Sequence, residues 1–108
     1  MFSIEHFVDV SGDDPFELWF DAISDLRGKA RISARVTRLQ YGLFGDCRPV
    51  GSGVWELKID WGPGYRVYYA ICQENVILLC GGGVKRTQRA DIDRAIKRWK
   101  LWQREGRT

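Results

Sequence analysis

The stretch that most limits what this chain can fold into is Val54–Arg66, Val-Trp-Glu-Leu-Lys-Ile-Asp-Trp-Gly-Pro-Gly-Tyr-Arg. Apolar and polar residues alternate up to Trp61, the pattern of a half-buried strand. Gly62-Pro63-Gly64 supplies a sharp turn, and Tyr65-Arg66 opens a second strand. Such a pair puts Lys58 and Arg66 on neighbouring strands. Two fixed cations on a small sheet point to an anionic ligand.

The rest of the chain is read outward from that pair. A short strand is expected over Ser3–Val8. Ser11-Gly-Asp-Asp-Pro offers N-cap candidates, with Pro15 in the first helical turn. Phe16, Trp19, Phe20, Ile23 and Leu26 then recur on one helical face. Gly28 is expected to end that helix. A second helix is expected over Lys29–Leu43, with Ile32, Val36, Leu39 and Leu43 as its buried stripe and Arg31, Arg35 and Arg38 on a different face. Beyond Gly42 the period becomes two. Strands are expected at 44–50, 53–61, 65–73 and 75–81, with short links that favour antiparallel pairing. Gly81-Gly82-Gly83 is read as closing the sheet. A last helix over Thr87–Arg104 carries Ile92, Ala95, Ile96, Trp99 and Trp102 as its apolar stripe.

The expected fold is α+β: an N-terminal strand and an antiparallel helical hairpin packed on an antiparallel sheet, then a basic C-terminal helix. The 108 residues make one domain, 1–108. No apolar run approaches the ~20 residues that span a bilayer. Met1–Val10 carries Glu5 and Asp9 and no Lys or Arg, the wrong charge for a secretory signal, so a cytoplasmic location and no membrane are expected.

Several chemistries are disfavoured. Cys47, Cys72 and Cys80 have neither C-x-x-C nor zinc spacing and read as small buried hydrophobes. His6 is the sole histidine, and no suitable carboxylate cluster is visible, so neither a metal nor another cofactor is expected. The glycine triplet before Lys85 lacks phosphate-loop spacing, and no nucleophile elbow or Cys-His pair is present.

Charge is lopsided. Residues 1–26 hold seven acidic and no basic residues, whereas residues 85–108 hold nine basic and three acidic. A basic surface meeting nucleic acid or an acidic protein is one reading, and a solvated helix face is the other. On the strands, Trp55, Leu57, Ile59 and Trp61 are expected to cover the helices together with Tyr65, Val67, Tyr69 and Ile71. Glu56, Lys58, Arg66 and Tyr68 then share an open polar face, with Lys85 and Arg86 leaning over it. Arginine forks suit phosphate, and aromatic rings suit bases.

Strand, two helices, antiparallel strands and basic helix follow in the order of the RelE/ParE toxin superfamily. The chain most resembles its HigB-like, phage-derived Gp49-like "addiction module killer" branch. The resemblance rests on Val54-Trp-Glu-Leu-Lys-Ile-Asp, Gly62-Pro-Gly-Tyr-Arg-Val-Tyr-Tyr, Leu78-Leu-Cys-Gly-Gly, and Lys85–Trp99 with Gln88, Asp91-Ile92 and Ala95. It implies the toxin of a type II toxin–antitoxin system: a metal-independent endoribonuclease that cleaves messenger RNA on the ribosome. Its partner would be an antitoxin, often of helix-turn-helix type. The implied site has Arg66 on the phosphate, Lys58 and Lys85 for proton transfer or charge neutralisation, and Glu56 as a base. Arg86, Tyr68 and Arg89 would touch RNA. A tyrosine found on the last helix of some ribonuclease members corresponds roughly to Ile92 here, and the histidines of some HigB proteins are absent. A ParE-like gyrase poison that cuts no RNA, or an inactive toxin-like binding module, are the competing readings.

Overall fold

A computed structural model of the chain describes residues 1–106; Arg107, counted in the basic C-terminal run, lies outside the described residues. The elements are β1 (Ser3–His6), α1 (Pro15–Asp21), α2 (Leu26–Gln40), β2 (Cys47–Gly51), β3 (Val54–Ile59), β4 (Tyr65–Cys72), β5 (Val76–Val84) and α3 (Gln88–Arg104), with a 3-10 turn at Lys85–Thr87 leading into α3. They form an α+β fold around one five-stranded sheet of order β1-β5-β4-β3-β2. No helix among the described residues is long and apolar enough to cross a membrane.

The sheet is mixed rather than wholly antiparallel. β2 to β5 pair antiparallel in sequence, as their short turns require, but β1 joins β5 in parallel. The long excursion from His6 to Val76 through both helices and three strands gives the chain room to return in either direction.

The first two helices are bounded by aspartates. Asp14 caps α1 by accepting from the Glu17 amide at 3.1 Å, with Pro15 in the first turn. Asp25 caps α2 by accepting from the Arg27 amide at 3.1 Å, and its other oxygen accepts from the Trp61 indole at 3.0 Å. Donation from the Gly28 amide and the Trp61 indole holds the Asp25 carboxyl below its usual range. Gly28 therefore ends nothing. It is buried inside α2, where a Cβ would stand 2.7 Å from the Tyr65 ring. Leu26, expected in the first helix's stripe, opens α2 and is exposed. α1 packs mainly against β5, and α2 against β3 and β4.

Both faces of the sheet are covered. Ile32 and Leu39 of α2 and Phe16 of α1 bury one face with Leu57, Val67, Tyr69, Ile77 and Leu79. On the other, Ala95, Trp99 and Trp102 of α3 lie over Val54, Tyr68, Ala70, Leu78 and Cys80. The face expected to be open is thus half roofed by α3. The glycine triplet belongs to β5 rather than to a closing turn, and Gly81, Gly82 and Gly83 stand opposite Tyr68, Val67 and Arg66. They are clearances: a Cβ on Gly82 would overlap the Trp19 ring, and one on Gly83 the Asp91 carboxylate. A bulge skips Cys80 in the β4–β5 ladder, and Arg98 of α3 donates to its carbonyl at 2.9 Å.

His6 at the end of β1 lies 2.6 Å from Asp14 and 3.7 Å from Glu17. The fold assembles this His-Asp-Glu cluster from segments whose spacing suggested none. It ties β1 to the start of α1.

Candidate anion-binding cleft

Where α3 stops covering the sheet, the β3–β4 ladder opens into a cleft of about 330 Å³ lined by Asp46, Arg48, Glu56, Lys58, Arg66 and Gln88. Its floor follows from register. Lys58 stands opposite Arg66, Glu56 opposite Tyr68, and Arg48 of β2 opposite Glu56. Period-two alternation then sends Arg48, Glu56, Lys58 and Arg66 to one side of three adjacent strands.

Glu56 is the hub. Its residue is only 1% exposed. One carboxylate oxygen accepts from Arg48 Nε at 2.8 Å; the other accepts from Gln88 Nε2 at 2.8 Å and the Tyr68 hydroxyl at 3.1 Å. Arg66 Nε lies 3.5 Å from that second oxygen. Burial alone would raise the Glu56 pKa. The hydrogen bonds from Arg48, Gln88 and Tyr68 and the Arg48 charge outweigh burial and hold it below the ordinary glutamate value. Glu56 is thus an ionised, fully engaged anchor.

Arg66 is 5% exposed. One terminal nitrogen donates to the Gly64 carbonyl at 2.8 Å, while Nε has no hydrogen-bond partner within the described residues. The guanidinium is therefore lodged in the cleft floor, held from one side by the Gly62–Gly64 turn and from the other by Glu56. Gly64 permits this approach: a Cβ there would sit 2.9 Å from the Arg66 guanidinium. Lys58 is exposed at the rim.

Of the seven residues expected in the site, Glu56, Lys58 and Arg66 come together. Tyr68 reaches the cleft only with its hydroxyl. Its ring is fully buried under α3 and offers no surface for a base to stack on. Burial and the Glu56 charge push its phenol pKa upward. Lys85 stands beside the Gly62–Gly64 turn, its amide donating to the Pro63 carbonyl at 3.4 Å. Arg86 and Arg89 do not lean over the cleft; the 3-10 turn carries both to a separate shallow hollow along α3. Arg48, Asp46 and Gln88 are the members that the sequence reading did not place there. Counting back from the Gly51-Ser52-Gly53 turn would have put Arg48 opposite Glu56.

Fold and cleft define a small α+β protein with a recessed arginine in the floor of a polar cleft. Comparison with known proteins gives the family. Residues 19–100 match the profile described as "Phage derived protein Gp49-like", and the chain belongs to that family. An uncharacterized protein of Haemophilus influenzae is 51% identical over 83 residues, which cover 74% of this chain and 81% of that protein. The Gp49-like family is related to toxin–antitoxin modules.

Proposed function

We propose that the chain is the toxin of a type II toxin–antitoxin pair, and that it is an endoribonuclease of the RelE/ParE kind acting on messenger RNA at the ribosome, in the cytoplasm and without a metal. The observation that carries this reading is Arg66: a nearly buried guanidinium, its Nε ion-paired with Glu56, fixed at the floor of a cleft with a second cation at its rim. A fixed cation lining a cleft suits a phosphate whose charge grows in the transition state.

In this scheme the scissile phosphate sits on Arg66. The RNA 2′-oxygen forms the new bond to phosphorus as its proton passes to water, and the bond to the 5′-oxygen breaks. Lys58 neutralises the phosphate and gives the leaving oxygen its proton. Lys85 adds positive charge from beyond the turn. Glu56 is not the base, because every nearby donor already holds its carboxylate. It positions Arg48 and Arg66. An antitoxin encoded beside the chain would hold the toxin silent.

That engagement of Glu56 also favours a second reading, a ParE-like gyrase poison, since the carboxylate at the cleft floor is then unavailable as a base and the other one lining the cleft, Asp46, is exposed. Induced expression without antitoxin, with transcriptome-wide mapping of RNA 5′ ends, decides between them. New ends in frame within translated regions are expected. A DNA-damage response with intact transcripts selects the gyrase reading, and normal growth rejects both.

A further inference from the structure

The three side chains that tie β1 to α1 also form a metal donor set. His6 Nδ1 lies 2.6 Å from Asp14 Oδ2 and 3.7 Å from Glu17 Oε2, and one ligand atom from each residue falls within 4.8 Å of the others. The fold builds the set from two directions. His6 ends β1, its register fixed opposite Leu79 of β5. Asp14 caps α1, and Glu17 follows three residues on, so both carboxylates reach the end of β1. The other Asp14 oxygen accepts from the Glu17 amide at 3.1 Å, and the Phe16 ring stands edge-on to the imidazole at 5.3 Å. These contacts orient the ligands before any ion arrives.

Two observations separate the cluster from an ordinary surface ion pair. Neither carboxylate has a Lys or Arg partner among the described residues, so neither is already neutralised by a fixed cation. Residues 1–26 also carry seven acidic residues and no Lys or Arg, so the local field attracts cations.

We infer that His6, Asp14 and Glu17 bind one divalent transition-metal ion, with Zn²⁺ the best match. One imidazole nitrogen and two carboxylate oxygens suit Zn²⁺, whereas Mg²⁺ and Ca²⁺ favour oxygen alone. Ligand atoms on one Zn²⁺ stand roughly 3–3.5 Å apart, so Glu17 needs little movement and the His6–Asp14 pair opens by about half an ångström. The ion takes the place of the proton between that pair, and the ring keeps its proton on Nε2. His6 and Asp14 are half-buried and Glu17 is exposed, which leaves room for water to complete the shell. The ion clasps the N-terminal strand to α1 and stabilises the fold. It takes no part in the cleft, because β1 and β2 are opposite edges of the sheet and the cleft lies toward β2.

The test uses the full chain without a histidine tag, in a Cys47→Ser background that removes the half-covered thiol as a competing ligand. His6 is the sole histidine, so imidazole nitrogen NMR reads this cluster alone. Zinc chloride is expected to saturate at one equivalent, to shift the Nδ1 resonance, and to raise Tm by about 5–10 °C once the ion is tenfold above its Kd. Magnesium chloride at the same concentration should change neither. Glu17→Gln should weaken zinc binding at least about tenfold, while Asp13→Asn, in the same loop but outside the cluster, should stay within about threefold. Saturation with an unmoved Nδ1 resonance overturns the site, because the ion then sits elsewhere. Unchanged affinity in Glu17→Gln, or equal losses in the two variants, overturns it as well, the latter leaving only diffuse attraction. Absence of saturable binding leaves a hydrogen-bonded His6–Asp14 pair and no metal site.

Discussion

Lys58 and Arg66 face each other across the β3–β4 ladder, yet only Lys58 is exposed, while Arg66 lies sunk at 5% exposure against Glu56 and the Gly64 carbonyl. The difference comes from their neighbours. Arg66 has β5 on its far side with a glycine opposite it, Gly83, and α3 close by through Asp91, whereas Lys58 lies toward the sheet edge beside β2. A fixed inner cation and an exposed outer one would, under the proposed function, give the cleft a preformed seat for phosphate and a separate group able to move.

Arg66→Ala should therefore abolish growth arrest and lower RNA cleavage by about 10²–10³-fold, the usual cost of losing one preorganised donor to a developing anion. Glu56 keeps Arg48, Gln88 and Tyr68, so the fold should survive with a loss of roughly 1–3 kcal/mol in urea melts. Arg66→Lys keeps the charge without the planar fork and should fall between the two. An alanine variant that remains fully toxic removes Arg66 from the site.

Glu56 links the cleft to pH. Its folded pKa is depressed, chiefly because the Arg48, Gln88 and Tyr68 hydrogen bonds overcome burial. A depressed carboxyl stabilises the fold above its unfolded value, ~4.3, and that contribution disappears as pH falls through the lower folded value. Glu56→Gln should cost about 3 kcal/mol at pH 7, as for a broken buried pair. The gap between the two proteins' urea midpoints should then narrow on acidification from pH 5 to pH 3. A gap that stays constant over that range would show that folding does not depress the Glu56 pKa.

The three thiols should separate by reactivity. Cys80 is fully buried, and burial pushes its pKa up to about 12; burial also raises Cys72. Cys47 is raised as well, again by burial, but it is only half covered and sits on the edge strand. At pH 8, a disulfide reagent such as DTNB should titrate Cys47 alone in native protein, and all three in urea. Rapid reaction of a second thiol without denaturant would mean that α3 does not hold its place over β5.

What the sequence disclosed of this site was what alternation encodes. Period two, anchored by the Gly62–Gly64 turn, puts Glu56, Lys58 and Arg66 on one face without any tertiary information. It does not encode which face a helix thirty residues later will cover, so Tyr68 looked available and is buried. The direction of β1 was hidden for the same reason, since a strand's pattern carries no record of its partner's orientation. Arg86 and Arg89 announced charge but not aim, which the 3-10 turn sets. Gly28 and Gly81–Gly83 were misread because a glycine that breaks a helix or closes a strand looks identical, in sequence, to one that makes room for a ring.

Gly82 offers the direct test of that last distinction. An alanine Cβ there would overlap the Trp19 ring. Trp19 has little freedom to retreat, because Phe16 and Tyr65 pack beside it at ring-centroid distances of 5.9 Å and 6.3 Å. If Gly82 were merely a turn residue, Gly82→Ala would cost little. As a clearance it should cost roughly 1–3 kcal/mol, the usual range for overpacking, or a fall of about 4–8 °C in Tm per kcal/mol for a domain of this size. Trimming the ring should recover part of that loss, so Trp19→Ala/Gly82→Ala should lose less stability than the sum of the two single variants. Strict additivity in thermal melts would mean that residue 82 and the indole do not meet, and that the glycine is there for another reason.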